Sequence, residues 1–193
     1  LHVIGKDITR FHCVIWPAML MSAGVPLPRQ VFGHGFVYFK GEKMSKSLGT
    51  IIDPLDAASK FGPDPLRMFL VREFAYGQDG DFSWERFEER YNSDLANNLG
   101  NLVSRIATMA DKYCGGRLPQ SGAAAGRLAQ VADAALAAYR SSMDRFALQD
   151  GVAAAFSLVD AANQFIAETE PWRLSKDPAN AGRVGAILYD VAE

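Results

Sequence analysis

The sequence predicts two kinds of structure in one chain, a portion of α/β sheet followed by an all-α antiparallel helix bundle. Short apolar runs broken by Gly and Pro fill the first part, as strands and their turns do. From Ser83 onward the apolar residues recur every three or four positions instead, which is the period of a helix. No apolar run reaches the roughly 18 residues that a membrane span needs. We therefore expect an α/β domain over 1–90 and a helical domain over 91–193.

Leu1 to Ile4 reads as a short buried strand, Gly5-Lys6-Asp7 as a turn and Ile8 to Met21 as a helix, with Pro17 kinking or interrupting it. Such a strand–turn–helix unit binds its ligands at the carboxyl end of the strand. Val31 to Phe32 and Phe36 to Phe39 read as further strands, and Gly41 marks a tight turn before Lys43. Asp53-Pro54 and Asp64-Pro65 each look like a helix cap with proline at the first helical position. Trp84, Phe87, Tyr91, Leu95, Leu99, Leu102, Ile106, Met109 and Tyr113 predict one long amphipathic helix. A second runs from Leu128 to Phe146, a third from Val152 to near Pro171, and a fourth starts at Ala186.

At 49% apolar, 11% aromatic and 22% charged residues, the composition is that of an ordinary globular chain. Cys13 and Cys114 have neither metal-ligand spacing nor a disulfide framework, and they read as free thiols of a cytoplasmic protein. The net charge of −2 hides an asymmetry: the first 50 residues carry six cations and two anions, so the rest carries −6. A basic stretch of this kind suits a polyphosphate ligand, although a solvated surface would have the same composition.

Lys43-Met44-Ser45-Lys46-Ser47 is a polar loop with two ammonium groups and two hydroxyls beside a strand end. Lysines on such a loop can meet the charge that builds on phosphoryl oxygens and on a departing pyrophosphate. Gly5 permits close backbone approach to a ligand. Asp7, at a strand end and a helix start, can bind a substrate ammonium or a ribose hydroxyl. Ile8 and His12, four apart, share a helix face, and an apolar wall beside an imidazole suits a thioether. Trp16 continues that face, either supporting His12 or simply packing in the core. Asn97, Asn101 and Arg105 form a polar row beside the apolar stripe, with the donors and acceptors that read unstacked bases. Pro171 can end the third helix and turn Trp172 outward as a stacking platform; the alternative is that Trp172 caps the bundle core.

The lysine loop resembles the signature loop of class I aminoacyl-tRNA synthetases. The stretch from Leu1 to His12, with Trp16-Pro17-Ala18-Met19-Leu20, resembles the amino-acid-pocket motif of the methionyl-tRNA synthetases. The resemblance implies a Rossmann-like core, with Lys43 and Lys46 catalytic. It implies ATP binding by Gly5, Asp7, His34, Gly35, Met44, Ser45 and Lys46, although Gly33-His34-Gly35 also reads as a tight turn with an incidental histidine. Methionine would be bound by Asp7, Ile8 and His12, and the anticodon by Asn101, Arg105 and Trp172. ATP with Mg2+, methionine and tRNA(Met) are the implied ligands, and no membrane is. The other class I synthetases for apolar amino acids, or a non-catalytic tRNA-binding module, are the rival readings.

The His-x-Gly-His signature of the class I core and the family's Cys-x-x-Cys zinc knuckle do not occur in the 193 residues, so no metal ligand is assigned. The resemblance therefore covers the later part of the catalytic core and an anticodon-binding domain truncated at its C-terminus, with the N-terminal half missing. The 193-residue chain alone is expected not to activate methionine, and methionine-dependent ATP–pyrophosphate exchange is the measurement that checks it.

Overall fold

The computed structural model describes residues 1–44, 52–119 and 126–193. They form two compact units, one of Leu1–Phe87 with Phe146–Gln149, the other of Glu88–Arg145 with Asp150–Glu193. The combination of α/β sheet and helix bundle is the predicted fold class.

The first unit opens with strand β1 (His2–Gly5), which leads through a 3-10 turn (Lys6–Ile8) and a π-helical stretch (Phe11–Ile15) into α1 (Trp16–Ser22). The expected helix is there, but its hydrogen-bond spacing is not uniform. The Trp16 N–H reaches back five residues to the Phe11 carbonyl. Pro17, next in the chain, has no N–H to offer and its ring crowds the preceding turn, so widening the helix here is one way to carry it into the proline.

β1 pairs in parallel with β2 (Val31–His34), and the register sets His2 beside Val31 and Gly5 beside His34. A second sheet has the order β4–β3–β5, with β3 (Val37–Phe39) antiparallel to β4 (Glu42–Lys43) and parallel to β5 (Gly80–Phe82). Lys40 and Gly41 link β3 to β4 with φ of 51° and 78°, two successive positive values as a type I′ hairpin turn requires.

α2 (Pro54–Phe61) starts as predicted, the Asp53 carboxylate accepting the Leu55 N–H at 2.8 Å. α3 (Pro63–Glu73) starts earlier than predicted. Gly62, at φ 93°, ends one helix and caps the next, so Pro63 opens α3 and Asp64 lies within its first turn. There its charge still faces the unpaired N–H groups of the helix start.

The core of this unit is aromatic. Phe69, Phe82 and Phe87 are buried, and Phe39, Met44, Ile52, Phe61, Leu66, Phe74 and Trp84 pack on them. Phe87 meets Phe61 and Phe69 edge to face, at centroid distances of 4.8 and 5.2 Å. Strand β5 carries no alternating signal of its own; Phe82 holds it in place by burial.

α4 (Trp84–Arg90), a π-helical stretch (Tyr91–Gly100) and α5 (Asn101–Cys114) follow in succession. This corrects the single 3.6-residue stripe read from the sequence. In the π-helical stretch the face drifts, so Leu99 is 36% exposed while Asp94 is buried. Gly100 suits the wider turn, because a Cβ there would sit 2.9 Å from the Leu95 carbonyl oxygen.

The second unit adds α6 (Arg127–Asp144), α7 (Leu148–Thr169), α8 (Pro171–Leu174) and α9 (Ala181–Ala192). Its core gathers Leu102, Met109, Ala162, Ile166, Val184 and Leu188, with Ile106, Tyr113 and Val159 against them. Among the described residues no helix is long and apolar enough to cross a membrane.

Phe87 is 1% exposed at the centre of the aromatic core. Phe87→Ala should lower the unfolding free energy of the first unit by about 3–5 kcal/mol, the cost of a large buried side chain and the cavity it leaves. Urea denaturation followed by circular dichroism measures it.

Candidate functional site

The parallel register brings Gly5 and His34 side by side at the carboxyl ends of their strands, the edge where α/β sheets bind ligands. Residues 29 positions apart in the chain thus share one edge. A Cβ on Gly5 would lie 2.7 Å from Asp7 Oδ1, so glycine is what lets this carboxylate fold back over the strand end. Asp7 is exposed there. The turn is braced by the Thr9 hydroxyl, which donates to the Lys6 carbonyl at 2.7 Å.

His12 sits one turn beyond Ile8, and its Nδ1 is 3.1 Å from the Ile8 carbonyl oxygen. A carbonyl only accepts, so the Nδ1 carries a proton in this contact. The His2 and His12 rings meet edge to face at 6.3 Å. An open cavity of about 400 Å³ is lined by His2, Val3, Ile4, His12 and Trp16. Ile8 is 39% exposed and is not among those lining residues. Trp16, left between support and core packing, stands on the cavity wall at 38% exposure.

His34 is half-buried, its Nδ1 2.9 Å from the Gly35 carbonyl oxygen, with its ring roughly parallel to that of Tyr76 at 6.5 Å. Gly35 has no alternative: a Cβ would stand 2.0 Å from the Gln78 carbonyl oxygen. The chain passes this closely because Asp79 and Gly80 hold Phe36, the Asp79 Oδ1 accepting its N–H at 2.8 Å and its carbonyl accepting the Gly80 N–H at 2.9 Å. Lys6 Nζ lies 2.6 Å from both Asp79 carboxylate oxygens. That hydrogen bond, with the Phe36 N–H second, holds the Asp79 carboxyl below the usual carboxylate range.

Of the lysine loop, Lys43 is the last paired residue of β4, opposite Tyr38. Met44 packs on the aromatic core. Ser45 and Lys46 lie outside the described residues.

In the helical unit, Arg105 and Trp172 come together from positions far apart in sequence. The Arg105 guanidinium lies 5.8 Å from the centroid of the Trp172 ring, within range of a cation–π contact. Trp172 is 38% exposed, whereas Pro171 beside it is fully buried. Glu170, at φ 43°, makes the sharp exit from α7, and its carboxylate accepts from Arg173 at 2.7 Å. Asn101 donates to the Asn97 carbonyl at 2.8 Å, so its side chain lies along its own helix. The asparagine that bridges helices is Asn98, which donates to Asp160 at 2.7 Å and accepts from Asn163 at 2.9 Å. Nothing in the helical period singles it out, because its partners are more than 60 residues away. Among the described residues no group of three or more His, Cys, Asp or Glu could hold a metal ion.

A family model described as "tRNA synthetases class I (M)" matches residues 1–107. A methionine–tRNA ligase of Brucella suis is 51% identical over all of this chain and 38% of its own length. One from Caldanaerobacter subterraneus is 45% identical over all of this chain and 31% of its own. The crystal structure of Mycobacterium tuberculosis methionyl-tRNA synthetase bound by methionyl-adenylate aligns with a TM-score of 0.93 at 43% identity, covering all of this chain and 39% of that one. The chain thus spans 38% or less of the length of these curated relatives.

Proposed function

The chain belongs to the class I (M) tRNA synthetase family, and on that premise we propose that it contributes the lysine-loop part of a site joining methionine to ATP, together with helices that bind the anticodon of tRNA(Met). The observation that carries the reading is the in-register pairing of Gly5 with His34, which gathers Gly5, Asp7, His34 and Gly35 at one sheet edge. The Mycobacterium tuberculosis relative holds methionyl-adenylate, which is the product of such a step.

In that step a methionine carboxylate oxygen attacks the α-phosphorus of ATP. The bond to the β-phosphate breaks and pyrophosphate leaves. Asp7, exposed at the strand end, binds the methionine ammonium or a ribose hydroxyl. His12 and Trp16 form one wall of the side-chain pocket. The flat imidazole of His12 suits that role, since sulfur packs well against rings. Lys43 and Lys46 stabilise the charge that appears on the triphosphate, and Met44 and Ser45 are assigned to ATP binding in the same motif. Mg2+ enters with the ATP as part of the substrate. A hydroxyl of the terminal ribose of the tRNA then attacks the methionyl carbonyl carbon, and AMP leaves. No covalent enzyme intermediate is needed, because positioning and charge stabilisation suffice.

At the other end of the tRNA, Trp172 offers an indole face to a splayed anticodon base. The guanidinium of Arg105 lies over that ring, which leaves it beside a base stacked there. Asn101 reads a base edge once its side chain leaves the Asn97 carbonyl, a bond that costs little to exchange on an exposed surface. The reducing cytoplasm, where these substrates meet, is the compartment that suits the free thiols of Cys13 and Cys114.

Two substitutions in the full-length protein separate the two ends of this reading. Lys46→Ala should slow methionine-dependent ATP–pyrophosphate exchange by ~10²–10³, the usual cost of losing one donor to developing charge, and leave KM for tRNA nearly unchanged. Trp172→Ala should leave exchange intact and weaken tRNA binding by ~1–3 kcal/mol, the worth of one stacked base, read as a raised KM for tRNA in aminoacylation. Normal charging by both variants would remove the assignments.

A further inference from the structure

The residues assigned to adenylate formation lie on two segments that are separate in the chain. One is the turn and helix after β1, with Asp7, Ile8 and His12. The other is the β3–β4 hairpin that ends at Lys43. One side chain ties them together. The Asp79 carboxylate accepts from Lys6, the neighbour of Asp7, with Nζ 2.6 Å from both of its oxygens. The same carboxylate accepts the N–H of Phe36, the residue that enters β3, at 2.8 Å. Lys6 Nζ also lies 5.2 Å from the centroid of the Phe36 ring, so both members of the ion pair bear on the same hairpin entry. The backbone adds a second tie, from the Gly80 N–H to the Phe36 carbonyl.

We propose that Asp79 is a positioning residue for adenylate formation: through Lys6 and Phe36 it holds the turn that binds the amino acid at a set distance from the hairpin that carries Lys43. The inference rests on the functional reading above. Stability is a poor explanation for this pair. Its side chains are 44% and 35% exposed, and exposed ion pairs contribute little to folding. Its particular feature is connectivity, since one carboxylate joins segments 73 and 43 residues away from it in the chain. In-line attack depends on where the carboxylate of one substrate meets the phosphorus of the other, and a displacement of about 1 Å can cost about a hundredfold in rate. The Lys6 hydrogen bond and then the Phe36 N–H hold the Asp79 carboxyl below its ordinary value, so both contacts favour its charged form.

The test is methionine-dependent ATP–pyrophosphate exchange by the full-length enzyme, with Asp79→Ala, Asp79→Asn, Lys6→Met, Lys43→Ala and the double variant Asp79→Ala/Lys43→Ala. Asp79→Ala should lower kcat about ten- to a hundredfold, with KM for methionine changed by less than about twofold. In the Lys43→Ala background the same change should cost far less, because the group being positioned is gone. Lys6→Met should reproduce most of the loss. If Asp79→Ala lowers the melting temperature, Asp79→Asn decides the matter, since it preserves volume and an oxygen for the Phe36 N–H while giving up the charge; its kcat should still fall. Wild-type kcat in the Asp79 variants, or equal fold losses with and without Lys43, would overturn the proposal while the functional reading stands. A wild-type enzyme that does not exchange pyrophosphate with methionine, or a Lys43→Ala variant of full rate, would remove that reading and the proposal with it.

Discussion

The interlocked rings of Phe69, Phe82 and Phe87 are the constraint on which the rest of the first unit depends. They take their partners from the elements of that unit that follow β2. Phe39 brings β3, Phe82 is itself the end of β5, Phe61 brings α2, and Trp84 with Phe87 brings the start of α4. Met44 and Ile52, the described residues on either side of 45–51, pack on the same rings. Edge-to-face contacts near 5 Å among five rings give this core direction as well as apolar area.

The edge formed by β1 and β2 illustrates a second economy of design. Two strands of four residues each are enough to define a ligand edge, because parallel pairing aligns their carboxyl ends and the turns after them do the rest. Glycine at positions 5 and 35 is required for different reasons. At Gly5 the missing Cβ makes room for a carboxylate, whereas at Gly35 it lets two backbone segments pass almost in contact. The first shapes the turn after β1 and the second holds the sheet edge against the segment that contains Asp79. Both sit where a side chain would collide, and neither has a positive φ.

In the helical unit, polar residues divide between structure and surface. Asn98, Asp160 and Asn163 satisfy one another across helices, a network that specifies register more than it adds stability. Arg105 and Trp172 lie together on a surface that solvent reaches. Pro171 and the left-handed Glu170 are the means of that exposure: a buried proline ends one helix and opens a short one, so the next side chain leaves the core. The contact itself is within range of a cation–π interaction.

Local chemistry was legible from the residues alone. The change from strand-and-turn punctuation to helical period near Ser83, the Asp53 cap and the turn at Gly41 all follow from side-chain type and spacing, which act within a few residues; Lys43, expected in a loop, is instead the last residue of β4. The partnerships that make a site were not legible, because each depends on residues far apart in the chain: Gly5 with His34, Lys6 with Asp79, Arg105 with Trp172. Strand β5 and Asp79 sit in a segment without period, and only burial of Phe82 and the reach of one carboxylate give them a place. The change of helical spacing at 91–100 was hidden for a related reason. A sequence pattern assumes one period, while the backbone was free to change its hydrogen-bond step where Gly100 left room for it. Sequence therefore determined which residues are candidates for the chemistry and which conformations they favour one by one. Tertiary structure decided which of them meet, because pairing across long stretches of chain is settled by packing and register, and neither is encoded in any single segment.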